Sequence, residues 1–410
     1  MDSIKIKPSK LKGKILVPPS KSLSHRAIIS ASLCRDEKSI VKNLILSDDI
    51  KATIEGMRAL GAEIGLSENK AYIKRNNLIE KNSLIDCRES GSSLRFLIPV
   101  SLALTDCLRF TGSKKLFERP LDVYFDIFKR QNINYKTCDN LLFINGNLSP
   151  GNIEIPGNVS SQFISGLLFS LPLLDGDSEI FITGKLESNA YVDLTIDVLN
   201  NFGINIEKND NSFYIQGRQH YKSCEYTVEG DYSQAAFFLV ANELGNEIEC
   251  LGLNKVSTQG DKEIMNIINM FNDCNEIIID ASQIPDLVPI ITVLAALKES
   301  HTTIIKNAHR LRLKESDRLL AVTTEMNKLG ACVNETKDGL IINGKISLNG
   351  GTRVKSWNDH RIAMSLAVAA TRCKDDIILE DHLAVNKSYP HFWNDYKSLG
   401  GIAFELNNRQ

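Results

Sequence analysis

MRALGAEI (57–64), FKRQNINY (128–135), LNNFGINI (199–206), INMFNDCN (268–275), MNKLGACV (326–333) and YKSLGGIAF (396–404) decide the fold of this chain. Each reads as the end of a helix running into a short β-rich segment, and the six recur at a spacing of roughly seventy residues. In most copies a Gly or Asn stands where a helix C-cap favours a residue that tolerates positive φ. The segments SENKAYIKR (67–75), CDNLLFING (138–146), KNDNSFYIQG (208–217) and ETKDGLIING (335–344) turn on Asn, Asp or Gly, and are expected to form hairpins.

Every unit also carries a second helix. These begin at KSLSHRAIISASL (21–33), SGSSLRFLIPVSLAL (90–104), SSQFISGLLFSLPLL (160–174), DYSQAAFFLVANEL (231–244), DLVPIITVLAALKE (286–299) and DHRIAMSLAVAATR (359–372). They open on Ser, Asp or Lys-Ser and continue almost wholly apolar, so they must be buried on all sides. The expected fold class is therefore α/β, with two similar domains of three β/α repeats each, in which sheets surround internal helices. The first strand, Ile4 to Lys7, has no helix of its own, and the last unit ends on a strand, Gly401 to Leu406. The N-terminal strand is thus expected to join the C-terminal domain. That gives an inserted domain over 14–225, a second domain of 1–13 plus 226–410, and a hinge pair near Gly13 and Cys224 to Val228.

Composition limits the function classes. A chain of 410 residues exceeds what one core usually supports. Its 43% hydrophobic and 24% charged residues are ordinary for a soluble globular protein, and a net charge of -2 argues against nucleic acid as a partner. No apolar run is long enough to span a bilayer, and Met1 to Lys14 is polar and lysine-rich, so a cytoplasmic protein without membrane partners is expected. The nine cysteines show no metal-ligand or redox spacing. Surface composition suggests a monomer.

The helix starts carry the chemistry. An open helix N-terminus presents unpaired N–H groups and the positive end of a dipole, which suit phosphate or carboxylate. Here those ends gather Lys21, Ser22 and Arg26; Gly91, Ser92 and Arg95; Ser160, Ser161 and Gln162; His360 and Arg361. The amphipathic helices are expected to begin beside Arg119, Lys314, Arg318 and Lys387. A Ser at a helix start is usually only a cap, but a cation in the first turn opposes the dipole. Its repetition points to a ligand with more than one negative group.

The segments PPSKSLSHRA, SGSSLRFL, FERPLD, PGNVSSQFISGLL, EGDYSQAAFFL, LRLKESDRL, WNDHRIAM and NKSYPHFW run in order along essentially the whole chain. They resemble the EPSP synthase family, the 3-phosphoshikimate 1-carboxyvinyltransferases among the enolpyruvyl transferases. The resemblance implies an inside-out α/β fold of six repeats and transfer of the enolpyruvyl group of phosphoenolpyruvate to the 5-hydroxyl of shikimate 3-phosphate, in chorismate and aromatic amino acid biosynthesis. By the same resemblance Lys21, Ser22, Arg26, Ser160, Ser161, Gln162 and Ser188 would hold shikimate 3-phosphate, with Asp286 and Lys314 facing its reacting hydroxyl. Phosphoenolpyruvate would be held by Lys21, Gly91, Arg119, Gln162, Arg318, Arg361 and Lys387. Asp286 would accept the hydroxyl proton, and Glu315 would deliver a proton to the methylene carbon, with Lys21 and Lys314 at the reacting groups. No metal and no organic cofactor is implied.

Simpler roles compete at several positions. Asp286 could be an N-cap, Glu315 a first-turn acid that favours the dipole, Arg95 half of a structural ion pair, and Tyr191 either pocket lining or packing. His360 could serve to orient Arg361. Glu89 stands where many relatives have Asn. Two other functions share parts of the pattern: transfer to UDP-N-acetylglucosamine, which usually shows Lys-Asn where this chain has Lys21-Ser22, and a pseudo-symmetric clamp, which needs a basic lining.

Overall fold

A computed structural model describes residues 2–35, 37–76 and 83–406. The chain divides into two compact units, Pro19–Glu229 and Met1–Pro18 with Gly230–Gln410. The divisions fall a few residues beyond the expected 13 and 224–228, for a visible reason. Lys12–Leu16 pairs in parallel with Glu247–Leu251 and so stays in the C-terminal unit, while Glu225–Thr227 pairs with Ser39–Lys42 and stays in the N-terminal one. Ser3–Lys7 lies between Ile377–Glu380 and Ile402–Leu406, antiparallel to both.

The N-terminal unit holds three four-stranded sheets of one design. In each, a parallel pair is extended by an antiparallel hairpin: Leu84–Asp86 beside Cys107–Thr111, for example, then Leu141–Asn145 and Asn134–Cys138. The C-terminal unit repeats this design over Glu276–Asp280, Thr302–Lys306, Leu340–Asn343 and Val333–Glu335. The four expected hairpins all form. Alternation along the strands puts one face inward, as in Glu276–Asp280, where Ile277 and Ile279 are buried and Ile278 is exposed. The apolar helices lie inside. All nine residues of Val288–Ala296 are buried, as are all eleven of His360–Ala370, which is the inside-out arrangement that their uniform hydrophobicity requires. Two separate cores result, one in each unit.

The repeat marker works through left-handed C-caps. Gly61, Asn132, Gly203, Gly330 and Gly400 follow their helices with φ of 88°, 56°, 78°, 95° and 92°. The fourth copy departs from the pattern: Ile264–Asp273 is closed by Cys274 in an extended conformation.

Candidate active site

The helix starts are built as the sequence implies, by side-chain caps. Ser20 accepts from the Leu23 amide, Ser90 from Ser93, Ser160 from Gln162, Asp231 from Ser233 and Asp359 from Arg361. The fifth helix is the exception. A 3-10 turn, Pro285–Leu287, holds Asp286 and precedes it, and its N-cap is Leu287, which makes no side-chain cap bond.

In the N-terminal unit three groups of residues form. Lys21 Nζ pairs with Asp49 at 2.8 Å. Arg26 is buried and links three helices: it donates to Ser22 O, Thr195 Oγ1 and Tyr191 O, each at 2.8 Å, and reaches Ser165 Oγ at 3.5 Å. Burial lowers its guanidinium to about 10. It thereby joins the starts of Lys21–Leu33, Ser161–Ser170 and Asn189–Asn201, and so organises the helices that carry Ser22, Ser160, Ser161 and Ser188. Ser188 sits in the left-handed region at φ 55°, buried, and makes no cap bond to its own helix.

The third group surrounds Gly91. A Cβ placed there would lie 2.8 Å from Arg119 Nη1, 3.4 Å from Arg95 Nη1 and 3.7 Å from Gln162 Oε1. The missing side chain is what lets two guanidinium groups and an amide converge on this helix start. Arg95 donates to Gln162 Oε1 at 2.8 Å and to the Pro120 carbonyl at 3.2 Å, and lies over the Phe163 ring. Gln162 in turn donates to Ser92 Oγ at 2.9 Å. Arg119 is buried, and its Nε finds no hydrogen-bond partner among the described residues. Unsatisfied buried cationic donors of this kind suit an incoming anion.

The C-terminal unit gathers a denser cluster. Asp286 accepts from Arg318 Nη1 and from Arg361 Nη2, both at 2.8 Å, with Lys314 Nζ at 3.9 Å. Arg361 also donates to the Asp286 carbonyl at 3.1 Å. Arg318, almost wholly buried, is bound by two further carboxylates, Glu315 at 2.6 Å and Asp359 at 2.8 Å. Burial alone would raise the Asp286 carboxyl, but Arg361, Lys314 and Arg318 outweigh it and hold it well below the usual carboxylate range. Burial acts the other way on Lys314, lowering its ammonium to about 8, with Arg318 and Arg310 reinforcing the shift against the pull of Asp286.

Three expected helix positions change. Lys314 follows the 3-10 turn His309–Leu313, and Lys387 closes the 3-10 turn His382–Lys387, donating to the Asn358 carbonyl. Both cations thus sit at C-terminal ends, where the local dipole favours them. Glu315 lies before the cap Asp317 rather than in the first turn of Arg318–Lys328, and Arg318 opens that helix as expected. Arg119 keeps its expected place, three residues before the amphipathic helix Asp122–Arg130 and just after the short helix Lys114–Phe117.

Sequence reasoning passed over three acids. Asp49 is the partner of Lys21. Asp359 binds Ser316 at 3.1 Å as well as Arg318, joining KESDR to NDHR. Asp261 bonds to Ser233, and burial beside Asp286 raises it to about 6. All three stand at helix starts, Asp49 and Asp261 in first turns and Asp359 as a cap, a position too common for an acid to single them out.

The sequence model of the EPSP synthase family (3-phosphoshikimate 1-carboxyvinyltransferase) matches residues 5–396. The chain belongs to the EPSP synthase family. It is 50% identical over 426 residues to the 3-phosphoshikimate 1-carboxyvinyltransferase of Clostridium perfringens strain 13, covering 99% of this chain and 100% of that one. The enzyme of the same name from Clostridium acetobutylicum is 51% identical over 426 residues, with 99% of each covered. Among solved structures, an EPSP synthase from Acinetobacter baumannii superposes with a TM-score of 0.81 at 23% identity, over 99% of this chain and 100% of that one. The enolpyruvyl transferase NikO of Streptomyces tendae gives 0.78 at 15% identity, over 99% and 98%. The family assignment makes the chain a transferase of the shikimate pathway, and the two structural likenesses bear on the fold alone.

Proposed function

We propose that this chain transfers the enolpyruvyl group of phosphoenolpyruvate to shikimate 3-phosphate and that its two clusters divide the labour. The observation that carries this reading is the Asp286 cluster, in which three cations and three carboxylates meet with one acid between two arginines. In the N-terminal unit, Ser160, Ser161 and Ser188 take the ester phosphate, Ser22 and Arg26 the ring carboxylate, and Lys21, Gly91, Arg119 and Gln162 the phosphoenolpyruvate. In the C-terminal unit, Arg318, Arg361 and Lys387 neutralise the departing phosphate, for which planar guanidinium groups offer paired donors. The protein acts in the cytoplasm as a monomer.

The reaction needs a proton acceptor and a proton donor. The 5-hydroxyl adds to the enol carbon as its proton leaves, and the methylene carbon gains a proton, giving a tetrahedral adduct. Loss of phosphate and of a methyl proton then restores the enol ether. Asp286, held ionised by its cations, is a weak acceptor that orients the hydroxyl, whereas Lys314 near 8 is the stronger base. Glu315, fixed at one oxygen by Arg318, delivers the methylene proton.

A pH profile tests this division. The Lys314 amine must be neutral to accept a proton, and that form grows as pH rises towards about 8. kcat/KM is therefore expected to climb about tenfold per pH unit below that value and level off above it. Lys314→Arg should remove the limb and lower the rate about a hundredfold. A profile that stays flat from about pH 6.5 to 8.5 would assign the proton to another group.

A further inference from the structure

The NDHR segment turns in a costly way. Trp357 and Asn358 both adopt left-handed backbone, at φ 56° and 53°, directly before the cap Asp359 and the helix that opens with His360 and Arg361. A single bulky residue in that region is strained, and two in succession persist only where the surroundings enforce them. The turn also supplies the Asn358 carbonyl that receives the Lys387 ammonium. Its geometry therefore sets the places of two cations at once.

Two sets of contacts hold it. Ser356 donates its hydroxyl to the Asp381 carbonyl at 2.9 Å and accepts from the Asn358 amide at 3.1 Å, which fixes the turn from its own base. The second set comes from the helix Arg318–Lys328. Glu325 is fully buried, yet it lies far along that helix, away from the cluster at its start. Its carboxylate accepts from the Trp357 indole at 2.8 Å and from the Lys355 amide at 3.0 Å, and Lys328 supplies the countercharge at 2.9 Å. Arg318 and Glu325 are separated by two helical turns and so share one face. From that face Arg318 grips Asp359 and Glu325 grips Trp357, so one rigid helix fastens both sides of the strained residues. A buried carboxylate spent on an indole and a backbone amide, where an apolar side chain would pack at less cost, implies that the turn's geometry matters.

We propose that Glu325 is a positioning residue for phosphoenolpyruvate, locking the Trp357–Asn358 turn and through it the Arg361 guanidinium and the Lys387 ammonium. This rests on the reading of Arg361 and Lys387 as phosphoenolpyruvate ligands. A purely structural Glu325 would lower thermal stability and leave the Michaelis constants alone.

The test is steady-state kinetics of the full chain carrying Glu325→Ala, Glu325→Gln, Trp357→Phe or Arg361→Ala, with tryptophan emission read in a Trp393→Phe background, where Trp357 is the remaining tryptophan. Glu325→Ala is expected to raise KM for phosphoenolpyruvate about tenfold while KM for shikimate 3-phosphate stays within about twofold, and to shift Trp357 emission to the red. Glu325→Gln, which keeps an acceptor for one N–H, should return the constant to within about threefold of the parent. Trp357→Phe should fall between them. Should Glu325→Ala fail to fold, the glutamine and phenylalanine variants carry the test, and no rise in either overturns the proposal. A folded Glu325→Ala with unchanged KM for phosphoenolpyruvate, beside an Arg361→Ala that raises it, overturns the role of Glu325 alone. An Arg361→Ala that leaves that constant unchanged overturns the ligand assignment beneath it.

Discussion

Asp286→Ala is expected to lower phosphate release about a thousandfold at saturating substrates, and to destabilise the C-terminal unit at the same time. The two effects have one origin. The carboxylate takes hydrogen bonds from Arg318 and Arg361 and lies beside Lys314. Without it three cations face one another with their central countercharge gone, at a cost of about 3–5 kcal/mol for a partner removed from a buried pair. The substrate hydroxyl also loses the group that orients it. Asp286→Asn separates the contributions, because the amide keeps one acceptor and the shape while losing the charge. Single-turnover rates and thermal unfolding on both variants measure them, and an alanine variant that retains more than about a tenth of the parent rate would remove Asp286 from the mechanism.

Arg318→Leu is expected to destabilise the C-terminal unit about as much as Asp286→Ala does. Arg318 is the common partner of Asp286, Glu315 and Asp359, and Asp359 has no solvent exposure. Losing the guanidinium leaves three acids crowded together, and a loss of about 3–5 kcal/mol follows, enough to lower the melting temperature by about 10 °C. Arg318→Lys should recover only part of this, since one ammonium cannot serve three carboxylates arranged round a planar fork. Both variants should raise KM for phosphoenolpyruvate by more than about tenfold. A leucine variant that melts within about 2 °C of the parent would show that the cluster contributes little to the fold.

Much of the architecture was legible because it is written locally and repeated. A glycine or asparagine after an amphipathic helix, a hairpin turn and an apolar helix are each signalled within about ten residues. Where a copy loses its signal, as NDCN does around Cys274, the helix still ends, but in an extended conformation that no local pattern announced. The pairing of Lys12–Leu16 with Glu247–Leu251 left no local sign, because it is a contact between segments far apart in sequence.

The site was legible as a set of residues and less so as an arrangement. Arg119, Arg318 and Arg361 stand out as cations beside helix starts, but nothing near Lys21 in sequence indicates Asp49 as its partner, and nothing near Glu325 indicates Trp357. Such pairings depend on which faces meet across the core. The state of a proton is further removed still. Asp286 and Lys314 look like an ordinary acid and base in sequence; the cations round Asp286 depress the one against its burial, and burial brings the other to about 8.

The central claim is that this chain moves the enolpyruvyl group to a phosphorylated cyclic polyol acid and not to a sugar nucleotide. Release of inorganic phosphate from phosphoenolpyruvate, followed in parallel with shikimate 3-phosphate and with UDP-N-acetylglucosamine, tests it most directly. Release with shikimate 3-phosphate alone is the expected result. Release with the sugar nucleotide alone, or with neither in a folded protein, would contradict the account.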